Sequence, residues 1–349
     1  MKKLTNNKAD LILRFLRDNP NRSSKEIHEG LNSDLGYATV KRILQNLIAE
    51  NLVVATGKGK ATKYGISPAY ELLLPIDVEE YFVKEIDERV IKDRFNERMF
   101  SDVLSKVSVF TDAELDHLNK LQQEYTDNVK GLSDAQYKKE LERLAIDLSW
   151  KSSQIEGNTY SLLETERLLK DKETAAGKTK EEAIMLLNHK AALDFIIENP
   201  AYISPLKVAS IEDIHSILIK DLNVDRNIRT RRVGISGTNY KPLDNEFQIK
   251  EALENTCLLI NKEHNVFAKA LMALVLLSYI QAFNDGNKRT ARIISNAILI
   301  NHNFCPISFR TVDSIEYKKA MLLFYEQNNI SAFKKIFISQ FEFAVSTYF

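Results

Sequence analysis

The chain has 349 residues, 44% of them hydrophobic, which is enough to bury a substantial core and leaves room for two or three domains. Lys plus Arg equals Asp plus Glu at 48 each, so the whole molecule carries no bias toward a polyanion or a membrane surface. Only two cysteines occur, Cys257 and Cys305, far apart and without histidines at ligand spacing; a disulfide framework and a zinc site are thereby excluded, and both are expected in the core.

The even balance hides an asymmetry. Residues 1–70 carry twelve Lys/Arg against six Asp/Glu, leaving 36 against 42 for the rest, a basic head on an acidic body. Charges interrupt the apolar part of the amino terminus, so it does not read as a signal peptide. The longest apolar stretch, "ALMALVLLSYIQAF", is too short for a membrane span and reads as a buried helix. A cytoplasmic protein without membrane contact is expected.

In chain order, "KADLILRFLRDNP" has helical apolar spacing and stops at Pro20, "SSKEIHEGL" opens on two candidate N-caps, and "YATVKRILQNLIAENLV" is an amphipathic helix running into a strand. "VVATGKGKATKYGIS" then reads as a hairpin turned by Gly57 and Gly59, with Lys58, Lys60 and Lys63 near its tip. From 71 to about 130, charged residues of both signs alternate with apolar ones at helical intervals, predicting a helical connecting region. Helix follows helix from there, except at Arg231–Pro242, "RRVGISGTNYKP", whose glycines and β-branched residues predict a short hairpin.

The stretch "QAFNDGNKRTAR", Gln281 to Arg292, carries the chemistry. A glycine-containing turn entering a helix presents free backbone N–H groups and a partial positive charge, which suits phosphate. Arg289 and Arg292 can fork onto phosphate oxygens, and Asp285 is a hard anion that suits magnesium bridging to a di- or triphosphate. The bland reading is a well-capped turn between two helices.

Residues 1–70 resemble the winged helix-turn-helix family: three helices, then a basic hairpin. The resemblance implies that Thr39, Lys41 and Arg42 near the start of the third helix face the DNA major groove, with Lys58, Lys60 and Lys63 reaching phosphates. "QAFNDGNKRTAR" resembles the signature of the Fic family, matching at Phe283, Asp285, Gly286, Asn287, Arg289 and Arg292. It departs at Gln281, where the family has His, and at Lys288, where most members have Gly and the phosphorylating Doc branch has Lys.

"SSQIEGN" resembles the family's inhibitory motif, mapping onto Ser152, Glu156 and Gly157, with the inhibitory helix over about 145–165. The resemblance implies that Glu156 pairs with Arg292 and obstructs the γ-phosphate. It also implies that 231–242, with Gly234, Ile235, Ser236, Gly237 and Tyr240, is a flap that holds a target segment by strand pairing. The fold class that follows is mainly α: a helical Fic domain at 131–349 with a β-hairpin flap, preceded by the winged helix.

That family transfers AMP from ATP, with Mg2+, to a protein hydroxyl, with autoinhibition. Gly286, Asn287, Lys288, Arg289 and Arg292 fall at its nucleotide-binding positions, Asp285 at the metal position, and Gln281 and Asp285 at the catalytic centre. Imidazole removes the hydroxyl proton in such chemistry, whereas a carboxamide is not basic enough to keep it. Slow or altered transfer is therefore expected. Natural divergence, a pseudoenzyme and an engineered loss of His remain open, and the alternative function is a nucleotide-sensing, DNA-binding regulator. The resemblance points to a bacterial protein, an unidentified protein acceptor and a homodimer. Three side chains outside the motifs get plainer readings: His215 packs or caps, Trp150 fills core beneath the inhibitory helix, and Tyr240 either packs or touches a ligand.

Overall fold

The computed structural model describes residues 7–31 and 33–349, and the side chains of Asn7 and Lys60 lie outside the described set. Three helices open the chain: α1 (Asn7–Asp18), α2 (Ser24–Gly30) and α3 (Tyr37–Ala49). They are followed by an antiparallel pair, β1 (Val53–Thr56) and β2 (Lys63–Ile66), in the register Val53↔Ile66 to Thr56↔Lys63. Ser23 caps α2 in a box with Glu26, and Arg22 exchanges two backbone hydrogen bonds with Tyr64, at 3.1 and 2.7 Å, so the head of α2 is stitched to the hairpin. Ile12, Leu16, Ile27, Val40 and Leu47 close a small core beneath.

The connecting region is less helical than its sequence pattern suggests. Only α4 (Tyr70–Leu73), α5 (Val78–Tyr81) and α6 (Asp112–Lys130) are α-helical, with a π-helical turn at Met99–Leu104. Between them the chain is not α-helical, and tertiary bonds claim its backbone: Lys92 N–H donates to Glu326 O (2.8 Å), and Val90 O accepts from Gln327 Nε2 (2.6 Å). Asn329 adds side-chain bonds to Glu71 O and Leu74 O.

The body consists of α7 (Asp134–Ile155), α8 (Leu162–Asp171), α9 (Lys180–Glu198), α10 (Val208–Leu218), α11 (Glu246–Lys262), α12 (Val266–Ile280), α13 (Asn287–Asn301), α14 (Ser314–Gln327) and α15 (Ser331–Tyr348). At its centre lie α12 and α13, joined by 281–286 and surrounded by α7, α9, α10, α11 and α14. From Ala270 to Ile280 every residue of α12 is buried, as the unbroken apolar run requires of a helix with no solvent face. Truncating Leu271 or Leu274 to alanine would cost about 2–5 kcal/mol. Cys257 and Cys305 are both free and buried, as expected.

Arg231–Pro242 is not a hairpin. The segment is extended with a turn at Ser236–Gly237, and its two halves form no ladder with each other. Tyr240 goes into the core, and Lys241 instead bridges in parallel to Arg94, its N–H donating to Asp93 O at 2.8 Å. Among the described residues no helix is long and apolar enough to cross a membrane.

Candidate functional site

The loop between α12 and α13 is fixed by two left-handed residues. Gln281 (φ 52°) ends α12, and Gly286 (φ 82°) precedes α13, which starts at Asn287. Gly286 is required on two counts: a Cβ there would lie 3.2 Å from both His215 Cδ2 and Ile219 Cγ2, and the positive φ strains any L side chain.

Asn287 staples the turn. Its Oδ1 accepts from Phe283 N–H (2.8 Å), while Nδ2 donates to Phe283 O (2.8 Å) and Gln281 Oε1 (3.3 Å). The sequence points to Asn287 as a ligand-binding residue, but its amide is spent on shaping the loop. Phe283 stacks on His215 at 3.7 Å between ring centroids, 5° from parallel, and His215 Nε2 lies 2.9 Å from Asp285 O. Burial pulls the His215 pKa below its ordinary value, so the ring is neutral and supports the loop from behind, as its packing reading predicts.

A cleft of about 560 Å³ opens in front of the loop. Glu156, Gln281, Asp285–Arg289, Gly234–Gly237 and the cleft face of α14, from Tyr317 to Tyr325, line it. This assembles residues that lie far apart in the sequence: the inhibitory glutamate, the flap segment and the motif loop.

Glu156 carries the strongest polar geometry there. The expected inhibitory helix at 145–165 is instead the end of α7: Ser152 lies in its last turn, Glu156 caps it, and Gly157 (φ 103°) turns the chain away. Arg292 Nη2 donates to Glu156 Oε1 at 2.7 Å, and Arg292 Nε donates to Ser152 Oγ at 2.8 Å. Lys288 Nζ donates to the other carboxylate oxygen, Oε2, at 2.8 Å. Burial by itself would push the Glu156 carboxyl up, but the two cations outweigh it and hold its pKa at about 2. The sequence gives no sign that Lys288 joins this pair.

Arg289 shows what the loop lacks. Its side chain is 1% exposed, and Nη2 donates to Asp285 Oδ2 at 2.9 Å, but Nε and Nη1 have no partner; neither does Arg292 Nη1. Buried guanidinium donors without acceptors are costly, and of the two arginines Arg289 is the one that borders the cleft. Asp285 is 61% exposed at the side chain, its Oδ1 accepting from Gly286 N–H at 2.6 Å, with lone pairs remaining toward the cleft. Among the described residues no cluster of three or more metal-ligating side chains exists. The donor set nevertheless fits magnesium, which takes one or two carboxylates and completes its octahedron with phosphates and water.

Gln281 is 8% exposed and lines the cleft. Its Nε2 donates to Ser278 O at 2.6 Å, which turns Oε1 toward Asn287. The oxygen can orient a hydroxyl but not deprotonate it. Tyr240, 2% exposed, stacks on Tyr279 and Tyr325 and donates to Tyr279 O at 3.1 Å, a packed position behind the cleft. Trp150 does not fill core; it is half-buried and its indole N–H donates to Tyr160 O (3.0 Å), closing the turn after Gly157. In the head, Tyr37, Lys41, Arg42 and Lys58 are exposed and Thr39 is partly so, but Lys63 is drawn back to Glu26 at 2.7 Å.

Residues 205–299 match the model of the Fic/DOC family. The chain is 29% identical over 174 residues to "Protein adenylyltransferase Fic" of Nematostella vectensis, an alignment covering 48% of this chain and 40% of that protein. It is 26% identical over 171 residues to "Protein adenylyltransferase fic-1" of Caenorhabditis elegans, covering 47% and 33%. The alignments thus span about two fifths or less of these relatives' lengths. Among solved structures, a Fic domain containing signaling protein from Bacteroides thetaiotaomicron superposes with a TM-score of 0.57 at 18% identity, covering 66% of this chain and 94% of that one. Fic-1 from C. elegans superposes with a TM-score of 0.56 at 22% identity, covering 68% and 72%. At these identities the structural likeness establishes the fold.

Proposed function

We propose that this chain, which carries a Fic/DOC-family domain, binds ATP in the cleft before α13 and transfers AMP to a protein hydroxyl, slowly and under restraint by Glu156. The observation that carries this reading is the Glu156–Arg292 contact of 2.7 Å, made across the entrance to a helix whose neighbouring Arg289 keeps two buried donors unsatisfied. A capped turn that had lost its ligand would have no need for buried cations, and replacing them with apolar residues would be neutral or stabilising. Homologues named as adenylyltransferases support nucleotide use by the same site.

In this mechanism the Gly286–Lys288 turn and the orphan donors of Arg289 receive phosphates, and the N-terminus of α13 adds its partial positive charge. Asp285 would hold Mg2+, which when bound neutralises phosphate charge. Arg292 becomes free for the terminal phosphate once Glu156 leaves. Gly234–Ser236, whose backbone groups have no partners among the described residues, would pair with an extended acceptor segment and bring its hydroxyl to the cleft. Gln281 Oε1 then accepts that hydroxyl's hydrogen bond and aligns it. The hydroxyl oxygen bonds the α-phosphorus as pyrophosphate leaves with the electron pair of the broken P–O bond, and the proton passes to water because no strong base is at hand, which sets the rate low.

Incubation with α-labelled ATP and Mg2+ tests the reading, using the chain, Glu156→Gly and the Glu156→Gly/Gln281→His double variant. Label in the double variant supports it; label in none of the three rejects it.

A second reading concerns residues 1–70 and is favoured by the exposure of Tyr37, Lys41 and Arg42 on the first turns of α3, next to a basic hairpin stitched to α2. We infer that this face binds duplex DNA as a winged helix does, making the chain a regulator whose Fic domain senses nucleotide. Fluorescence anisotropy with duplex DNA at stepped salt checks it, and no binding at low salt removes it.

A further inference from the structure

The connecting region does more than link the head to the body. Between Tyr81 and Arg94 it lies against the last turn of α14 and against the flap segment. Arg89 sits at the crossing with its side chain 3% exposed: Nη2 donates to Gly237 O at 2.7 Å and lies 3.4 Å from Oε1 of the fully buried Glu326. Tyr81 Oη donates to the other oxygen of Glu326 at 2.7 Å, and the Arg89 guanidinium lies over the Phe82 ring at 4.9 Å. Two further links run from the same stretch to the flap: Asn239 Nδ2 to Asp87 Oδ1 at 3.0 Å, and Lys241 N–H to Asp93 O at 2.8 Å.

Gly237 (φ 88°) is the turn of the flap, and Gly234–Gly237 form one wall of the cleft. With no ladder of its own, this segment cannot hold its shape by internal pairing; it is held by what bonds to it from outside. The bond from Arg89 is the charge-assisted one, made by a side chain that is 3% exposed.

We propose that Arg89 is a positioning residue that sets the flap turn, so that Gly234–Ser236 present their backbone to an extended acceptor polypeptide. This rests on the acceptor-transfer reading of the cleft. Arg89 touches neither the phosphate loop nor Glu156, so its loss acts on the acceptor side and spares the nucleotide.

The test uses the full chain carrying Glu156→Gly, with Arg89→Gln/Glu326→Gln, which removes both members of the buried pair together, and separately with Asn239→Ala, an exposed link that leaves the pair intact. Amide exchange at Tyr240 and Lys241, whose N–H groups bond Thr238 Oγ1 and Asp93 O, ATP–Mg2+ affinity by calorimetry and self-labelling from α-labelled ATP are read on each. The expected result is exchange about tenfold faster in the double variant and a smaller increase in Asn239→Ala, ATP affinity within about twofold of the parent, and self-labelling reduced about tenfold. Unchanged exchange at Tyr240 and Lys241 overturns the proposal, as does a loss of ATP affinity parallel to the rise in exchange. Should the parent bind no ATP, the transfer reading falls, and exchange alone decides whether Arg89 holds the flap.

Discussion

Lys288 Nζ and Arg292 Nη2 grip opposite oxygens of Glu156, at 2.8 and 2.7 Å, so one carboxylate at the end of α7 neutralises two cations at the start of α13. The restraint is therefore two-armed. Replacing Glu156 with glycine frees both cations for phosphate, and ATP–Mg2+ affinity measured by calorimetry should rise at least tenfold, equivalent to about 1.4 kcal/mol. Lys288→Ala removes one arm and also one phosphate partner, so its effect on affinity in the otherwise unchanged chain should be smaller. The Glu156 side chain is 17% exposed, so the stability lost in Glu156→Gly should fall short of the roughly 3–5 kcal/mol typical of breaking a fully buried pair.

Acidity offers a second handle on the same contact. The folded-state pKa of Glu156 is depressed from 4.5 to about 2, so its contribution to stability is fully present above the ordinary carboxylate value and is lost as pH falls through about 2. Burial pulls the pKa of His189 and of His215 below the ordinary imidazole value, away from neutrality, where Glu156 is fully ionised. The difference in ATP affinity between the chain and Glu156→Gly should accordingly be flat from about pH 5 to 8, and calorimetry at both ends checks it.

Introducing histidine at 281 supplies the missing proton acceptor. Gln281→His in the Glu156→Gly background should raise the rate of label transfer by about 10²- to 10⁴-fold without tightening ATP binding. Single-turnover kinetics separate the two effects.

Gly286→Ala places a methyl 3.2 Å from His215 and Ile219 in a left-handed conformation. A cost of about 1–3 kcal/mol is expected, visible as a lowered Tm, together with loss of ATP binding as the loop shifts.

For the head, Lys58→Ala should reduce the salt dependence of DNA binding by about one unit of slope in log K against log[salt], at about 0.9 per phosphate contact, whereas Lys41→Ala/Arg42→Ala, in the groove, should chiefly relax sequence preference. Lys63→Ala should change the slope less, since Lys63 is engaged with Glu26.

The motif loop and its pairing with Glu156 were legible in sequence because both depend on short, ordered signatures: Gly286 needs its positive φ, and Glu156 needs the helix end that Gly157 provides. The three helices and hairpin of the head were legible from period and turn residues alone. What escaped was decided by tertiary contact. Residues 71–110 have a helical pattern, yet α14 and α15 take up their backbone groups. The flap has the composition of a hairpin, yet Tyr240 is worth more stacked in the core than exposed on a strand. Lys288 reads as a phosphate partner because nothing local reveals that Glu156, 132 residues away, reaches it.

Because every hydrogen-bonding atom of the Asn287 amide is already engaged within its own turn, the cradle keeps its form whether or not a guest is present. Occupancy then incurs little entropic penalty at the main chain, and empty and filled crystals should overlay there to within thermal motion while the Glu156 side chain alone swings aside.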